Sequence, residues 1–316
     1  MPVPYGSAMP SRPAVPTADR PTADGPGAVD QLVRRPRRRP GVWVANAAVL
    51  VGLAMALSAA VTNPGFGWST VGTYLFEVRI LEGLGVSIGM TAVTMALALV
   101  CGTAVALMRM GGSRALSLVA AAFIWVFRSI PMLVQLLFWY NLAALFPQLG
   151  IGIPFGPTFA EGPTNDLITP LTAAIVGLTL HETAYVAELV RSGLLSVPKG
   201  QQEAFAALGM TPTQGFVRIT LPQALRIIVP PLGNEVISLL KATSLVSVIA
   251  LSDLLYSVQL IYAKNYRTIP LLIVASLWYM AVAGLLSLVQ SRIEKRLGRR
   301  QLAGRRPTAQ DPGAEL

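Results

Sequence analysis

Of the chain's 316 residues, 53% are hydrophobic and only 13% charged, and the mean hydropathy of +0.58 excludes an ordinary soluble domain. The net charge of +10 does not point to nucleic acid, because the basic residues crowd the two ends, as Arg34, Arg35, Arg37, Arg38 and Arg39 and then Arg292, Lys295, Arg296, Arg299, Arg300, Arg305 and Arg306. The single cysteine, Cys101, lies in an apolar segment, allows no internal disulfide and implies no metal site.

Residues 1–40 are rich in Pro, Ala and Arg and nearly devoid of large apolar side chains, so they cannot bury enough surface to offset chain entropy. They are expected to form a disordered, basic cytoplasmic tail. That tail is too long and too Pro-rich for a signal-peptide n-region, and residues 41–62 are read as a retained first transmembrane span. Asn63, Pro64 and Gly65 close it.

A second span, residues 84–108, falls in a window of 26 residues without charge, and its Gly85, Gly89 and Gly102 fit close helix packing. Residues 109–114 make a short basic turn. Residues 115–146 would form a helix of about 48 Å, against a bilayer core of about 30 Å. Either part of this stretch lies outside the lipid or the helix bends, and Pro131 supplies a cause for bending, with Arg128 at the lipid boundary. Residues 147–163 read as a Gly- and Pro-rich loop and 167–190 as a fourth span. After a hydrophilic interruption at 198–224, the long apolar stretch 229–263 is assigned a boundary or re-entrant portion before Lys241 and a fifth span at 243–261. The sixth is 269–289, and residues 293–316 form a second basic cytoplasmic tail.

Positive charge supports six crossings with both termini cytoplasmic. The cytoplasmic regions then hold 21 of the 25 basic residues, and the opposite side only Arg79, Lys264 and Arg267, with Arg128 at a boundary. A five-span arrangement lacking the first segment would expose the Arg-rich tail outside.

In the interruption, residues 201–208 suit a short helix that Gly209 can end in a left-handed conformation. Thr211, Pro212 and Gln214 then fit an N-cap, a first-turn Pro and a capping-box Gln. Two short helices joined by a turn follow, with Pro222 interrupting the second and Pro230 and Pro231 closing the region.

These residues resemble the EAA loop of the membrane subunits of binding-protein-dependent ABC importers. The pattern reads Glu203-Ala204-Phe205, Gly209, Ile219 and Leu221-Pro222, and the surrounding FRSIPMLVQLLFWY, AYVAELVRSGLLSVPKGQ, LPQALRIIVPPLGNE and LLKATSLVSVI are similar to the polar amino-acid uptake branch. The resemblance implies an all-α integral membrane protein: a type I importer core of five helices over residues 81–292, plus one extra N-terminal span. It implies that Gln201, Glu203, Ala204, Phe205, Gly209, Ile219, Leu221 and Pro222 seat a coupling helix in a groove of a separate cytoplasmic ATPase. Phe205 departs from the motif's second Ala, and is expected to alter that fit or to anchor the interface. The implied partners are that ATPase, an extracytoplasmic amino-acid-binding protein, a second permease copy or paralogue, and lipid. ATP and Mg would reside on the ATPase, because none of Lys199, Lys241, Lys264 and Lys295 precedes Ser or Thr as a phosphate-cradling loop requires.

Ionisable residues inside spans tend to face a bundle interior or a water-filled path. Glu182 and Glu235 fit path lining and structural pairing equally, whereas Glu188 has Arg191 one turn away and reads as a structural pair. Lys241, Thr243 and Ser244 are gate-lining candidates by the resemblance. Ala242 stands where many relatives carry Asp, which counts against a cationic substrate. His181, the only histidine, reads as a hydrogen-bonded helix residue, and Phe138-Trp139-Tyr140 and Trp278-Tyr279 as lipid-interface anchors. The sequence thus predicts a transport subunit without bond chemistry of its own. An ion-coupled secondary carrier would need midplane relays in repeated halves, and a scaffold recruiting a cytoplasmic partner would need a signalling domain.

Overall fold

The computed structural model describes residues 40–153 and 156–304. The tail expected at 1–40 lies outside the described residues except for Pro40, as do residues 305–316 of the C-terminal one. Helix α1 (Pro40–Thr62) forms a unit by itself, 23 residues without a charge and about 35 Å long, enough to cross a bilayer.

The second unit begins with a 3₁₀ turn (Pro64–Phe66), α2 (Trp68–Tyr74) and the long α3 (Val78–Met110). Ser113 caps α4 (Arg114–Ser129), which meets α5 (Met132–Tyr140) at an angle of 102°. Pro131, as the N-cap of α5, forces this break, since its ring and missing N–H prevent α4 from continuing. Strands β1 (Gln148–Gly152) and β2 (Thr158–Pro163) pair antiparallel in what the sequence presents as a loop. The short α6 (Thr164–Leu167) leads into α7 (Pro170–Leu195), capped by Thr169 with Pro170 in its first turn. Then come α8 (Lys199–Ala207), α9 (Pro212–Gly215), a π-turn (Phe216–Thr220), α10 (Leu221–Ala242), a 3₁₀ segment (Thr243–Ile249), α11 (Leu254–Asn265) and α12 (Thr268–Gly304).

Among the described residues, five helical stretches are long and apolar enough to span a membrane, Gly41–Thr62, Val78–Met110, Pro170–Leu195, Pro212–Ile249 and Thr268–Leu297. The bent α4–α5 pair makes a sixth if its two arms are counted as one broken span. The fifth crossing differs from the one read at 243–261: the chain crosses through α10, and α11, with 12 residues, is too short at about 18 Å. In the sequence, the length of 229–263 and its Glu235, Lys241 and Asp253 set the boundary, and Pro222, Pro230 and Pro231 read as breaks that the helix in fact accommodates. Pro222 sits in the first turn of α10, where its absent N–H costs nothing, and the wider π-turn before it makes room for the ring. Pro230 and Pro231 lie within α10, which neighbouring helices support. Helix α12 docks there, its Gln290 Nε2 donating to Pro230 O (3.1 Å) and Asn234 Oδ1 (2.9 Å), and Gly233 leaves the room: an added β-carbon would lie 2.8 Å from Gln290 Cγ.

The second unit carries two hydrophobic clusters. One gathers α3, α4, α5, α7 and α10 around Leu136, Leu178, Val186 and Leu239; the other gathers α2, α3, α11 and α12 around Ile80, Leu254, Leu271 and Val274. Gly102 brings α3 against α7, because a β-carbon there would lie 2.7 Å from Val186 Cγ1 and 3.1 Å from the backbone N of Ala187. Gly85 and Gly89, read as packing residues too, would meet nothing within 4 Å. Gly102→Ala should therefore cost about 1–3 kcal/mol through overpacking and lower the unfolding midpoint of the detergent-solubilised protein, while Gly85→Ala leaves it unchanged or raises it.

Between α10 and α11 the chain reverses through Ala250 in the left-handed region (φ 58°). Asp253, fully buried, caps α11 by accepting from Tyr256 N (2.8 Å) and receives the Tyr279 hydroxyl at 3.3 Å, while Leu254 N donates to Ser87 Oγ (3.1 Å). Trp278 Nε1 donates to Leu75 O at 2.8 Å. Trp278 and Tyr279 are thus packed against the second cluster, and Trp139 against the first.

Candidate functional site

Two sets of residues stand out. The first is the elbow between α7 and α10. Helix α8 ends with Met210 N donating to Phe205 O (3.1 Å) and Gly209 N to Ala206 O (3.0 Å), the paired bonds of a Schellman motif. Such a motif needs a left-handed residue, and Gly209 adopts φ 71° at no steric cost. Immediately after it, Thr211 Oγ1 accepts from Gln214 N (3.3 Å) and Gln214 Oε1 accepts from Thr211 N (3.1 Å), a reciprocal capping box. The turn is thereby specified on both sides, as its sequence indicates.

Gln201, Glu203, Ala204 and Gly209 are exposed along this elbow, as is Pro222, whereas Ile219 and Leu221 are half-buried. Phe205 is half-buried as well and turns toward its own chain, its ring against Gly215. Leu208, which the motif pattern does not single out, is 78% exposed at the end of α8. An exposed apolar side chain on a segment that also exposes the acidic Glu203 supplies what a protein interface favours, an anchor to desolvate and a charge toward its rim. Its only sequence signal is a leucine next to the helix-ending glycine of an otherwise hydrophilic segment.

The second set climbs α7. Positions 181, 185 and 188 recur at helical spacing and put His181, Tyr185 and Glu188 on one face. Nearest the elbow, Arg191 Nε donates to both oxygens of Glu188 (3.0 and 3.1 Å), as the spacing predicts. Arg109 of α3 and Arg128 of α4 join this pair around a cleft of about 370 Å³ that Trp125 and Ser129 also line. One turn further, the Arg128 guanidinium carbon stands 5.1 Å from the centre of the Tyr185 ring. Beyond that, His181 Nδ1 lies 3.1 Å from Gln135 Nε2, which also donates to Phe127 O and Ile130 O and so closes the bend between α4 and α5.

Glu182 sits beside this ladder, 3% exposed, and its Oε2 has no hydrogen-bond partner. Glu235 of α10 is near enough for the two charges to act on each other, and Arg128 acts in turn on Glu235. The fold thus links three carboxylates, Glu182, Glu188 and Glu235, with three guanidiniums, Arg109, Arg128 and Arg191, across α3, α4, α7 and α10. Burying charge without full pairing is costly.

The remaining sequence candidates fall elsewhere. Thr243 is fully buried, donates to Leu240 O (2.7 Å) and lies by Tyr279, whose hydroxyl donates to Asp253. Ser244 Oγ donates to Lys241 O at 2.7 Å, and Lys241 is exposed. The five path candidates are therefore not one cluster: Glu182 and Glu235 come together, and Lys241, Thr243 and Ser244 form the end of α10 and the 3₁₀ segment after it. Arg128, Gln135 and Tyr185 belong with the carboxylates, and sequence reasoning gave them no substrate-facing role. Gln135, a lone amide in the apolar run of α5, was the available signal.

Residues 98–299 match the family described as binding-protein-dependent transport system inner membrane component. The chain is 41% identical over 278 residues to the arginine transport system permease protein ArgU of Corynebacterium glutamicum, covering 86% of each. It is 35% identical to the L-cystine transport system permease protein TcyB of Bacillus subtilis, covering 69% of this chain and 86% of that one. With the glutamate/aspartate import permease protein GltK of Escherichia coli O157:H7 it shares 32% over 73% and 98% of the two chains. A crystal structure of an amino acid ABC transporter with histidines superposes with a TM-score of 0.61 at 32% identity, covering 71% of this chain and 97% of that one. The fold also matches the MetNI methionine ABC transporter in an inward-facing form, with a TM-score of 0.56 at 22% identity over 70% and 97% of the chains.

Proposed function

Since the chain belongs to the binding-protein-dependent transport system inner membrane components and is a permease subunit of an amino-acid ABC importer, we propose that it passes amino acids with a cationic side chain along α7. The observation that carries this reading is Glu182, a buried carboxylate on α7 whose Oε2 has no hydrogen-bond partner among the described residues. Arg191 and Arg109 serve Glu188, and Arg128 acts on Glu188 and Glu235, so Glu182 is the carboxyl with an oxygen left open, to which a guanidinium or ammonium can donate. The likeness to an arginine permease points the same way. Ala242 argues against a cation only if the acid must come from the end of α10, and here α7 and the middle of α10 supply it.

The rest of the cycle follows from the elbow. Gln201, Glu203, Ala204 and Leu208 face a cytoplasmic ATPase that carries ATP and Mg, and the chain binds neither. An extracytoplasmic binding protein delivers the amino acid, a second permease copy or paralogue completes the pathway, and both termini are cytoplasmic, with α1 retained as an extra span. The ATPase's open and closed forms favour different permease states, so nucleotide binding shifts which side is open.

Uptake of radiolabelled arginine, cystine and glutamate by cells that contain the intact system, compared with cells lacking this subunit, tests the substrate class. Arginine uptake should require the subunit, and glutamate at a hundredfold excess should leave it unchanged. Subunit-dependent uptake of glutamate without arginine would overturn the cationic reading.

A further inference from the structure

The departure at Phe205 has a counterpart ten residues on. Helix α8 exposes Glu203, Ala204 and Ala206 but half-buries Phe205, and its ring lies over Gly215, which is buried at the end of α9. A β-carbon added at Gly215 would stand 2.5 Å from Phe205 Cδ2 and Cε2 and 2.7 Å from Cγ, closer than any side chain tolerates. Gly209 is glycine for its left-handed backbone, but Gly215 has φ −60° and ψ −44°, ordinary helical angles. Alanine in that conformation would favour the helix by about 1 kcal/mol. The glycine therefore has a different reason, the space its missing side chain leaves for the ring.

The position of this contact gives it a mechanical meaning. Its two sides are joined only through the turn at residues 208–211, and beyond Gly215 the helix runs on through the π-turn into α10, which carries Glu235. Schellman motif and capping box fix the turn's backbone, yet neither fixes the angle at which α8 stands against α9. A large ring seated on a bare backbone does, because aromatic side chains bury much area with only two rotatable bonds.

We infer that Phe205 is a positioning residue for energy coupling: its ring, seated on Gly215, holds α8 rigidly against the helix that becomes α10, so that force received at Glu203 reaches α10 undamped. This rests on the reading of the elbow as the ATPase-docking segment. It also replaces the expectation that Phe205 anchors the partner, since its ring is engaged within the chain.

The test uses the complete importer, purified through a tag on this subunit together with its ATPase, reconstituted in liposomes and supplied with loaded binding protein. The readout is the ratio of stimulated to basal ATP hydrolysis for the wild type, Phe205→Ala, Gly215→Ala, Phe205→Ala/Gly215→Ala and Glu203→Lys. Gly215→Ala drives a methyl group into the ring and should lower the ratio about fivefold or more, and Phe205→Ala, which removes the contact without collision, should lower it less. The double variant, which restores Glu-Ala-Ala at 203–205 and fills the gap at 215, should return to within about twofold of the wild type. A role confined to stability would appear as a lower unfolding midpoint and yield of both single variants at an unchanged ratio. Undiminished coupling in Gly215→Ala, or a double variant as uncoupled as Gly215→Ala, overturns the inference while Glu203→Lys remains uncoupled. Undiminished coupling in Glu203→Lys overturns the docking reading itself.

Discussion

Replacing Glu203 by Lys should abolish substrate-stimulated ATP hydrolysis in the reconstituted importer while leaving membrane insertion and the amount of folded permease unchanged. Glu203 is exposed on α8, one turn from Lys199, and the two form the only opposite-charge pair at that spacing on the helix. Reversal turns this face from neutral to doubly positive, and like charges brought together across a desolvated interface cost several kcal/mol. At about 1.4 kcal/mol per tenfold change, a loss of affinity or coupling of at least about thirtyfold follows. Insertion should not respond, because the residue lies outside the apolar spans and touches neither hydrophobic cluster. Glu203→Gln, which removes charge without reversing it, should fall between the two. Coupled hydrolysis at the wild-type level in Glu203→Lys would separate this elbow from the ATPase.

The elbow was legible in the sequence almost atom by atom because its determinants are local. A glycine that must be left-handed, a threonine that must cap and a glutamine three residues later each act on neighbours in the chain, so reading along the chain finds them. The bend at Pro131 was legible for the same reason. What misled was also local: Pro230 and Pro231 read as closing the hydrophilic region, and the length of 229–263 with its Glu235, Lys241 and Asp253 placed the fifth span at 243–261. In a bundle the neighbouring helices support a helix through such prolines, and at α10 the docking of Gln290 comes from a residue 60 positions away, which no local rule reports.

The ladder along α7 shows the same division. The Glu188–Arg191 pair follows from three-residue spacing on one helix. The electrostatic link of Glu182 with Glu235, and the stacking of Arg128 on Tyr185, join α7 to α10 and α4, which no spacing along one helix reports. Likewise Lys241, Thr243 and Ser244 are gate-lining candidates from the resemblance, and Thr243 lies buried by Tyr279, whose hydroxyl donates to Asp253. Phe205 was visible as a departure from a motif, and its partner was not, because Gly215 looks like any helix glycine until the ring is placed over it.

Glu182→Gln should reduce arginine uptake by about tenfold or more while leaving nucleotide-driven conformational change and basal ATP hydrolysis intact. The substitution keeps shape and hydrogen-bonding capacity and removes only charge, so the packing of α7 against α3 and α10 is preserved. A charge-assisted hydrogen bond to a guanidinium is worth about 1.5–3 kcal/mol, which sets the size of the loss. Glu235→Gln should act in the same direction, and the double variant should lose less than the two single losses combined, since either substitution already relieves the repulsion between the two acids. Were the pair structural instead, neutralising Glu182 would raise stability and leave uptake alone, because a buried acid without a full set of partners destabilises the helix that carries it. Transport and thermal unfolding measured on the same preparation separate these cases: a weaker arginine dependence at an unchanged or higher unfolding midpoint assigns the carboxylate to the path, and unchanged uptake at a higher midpoint removes it.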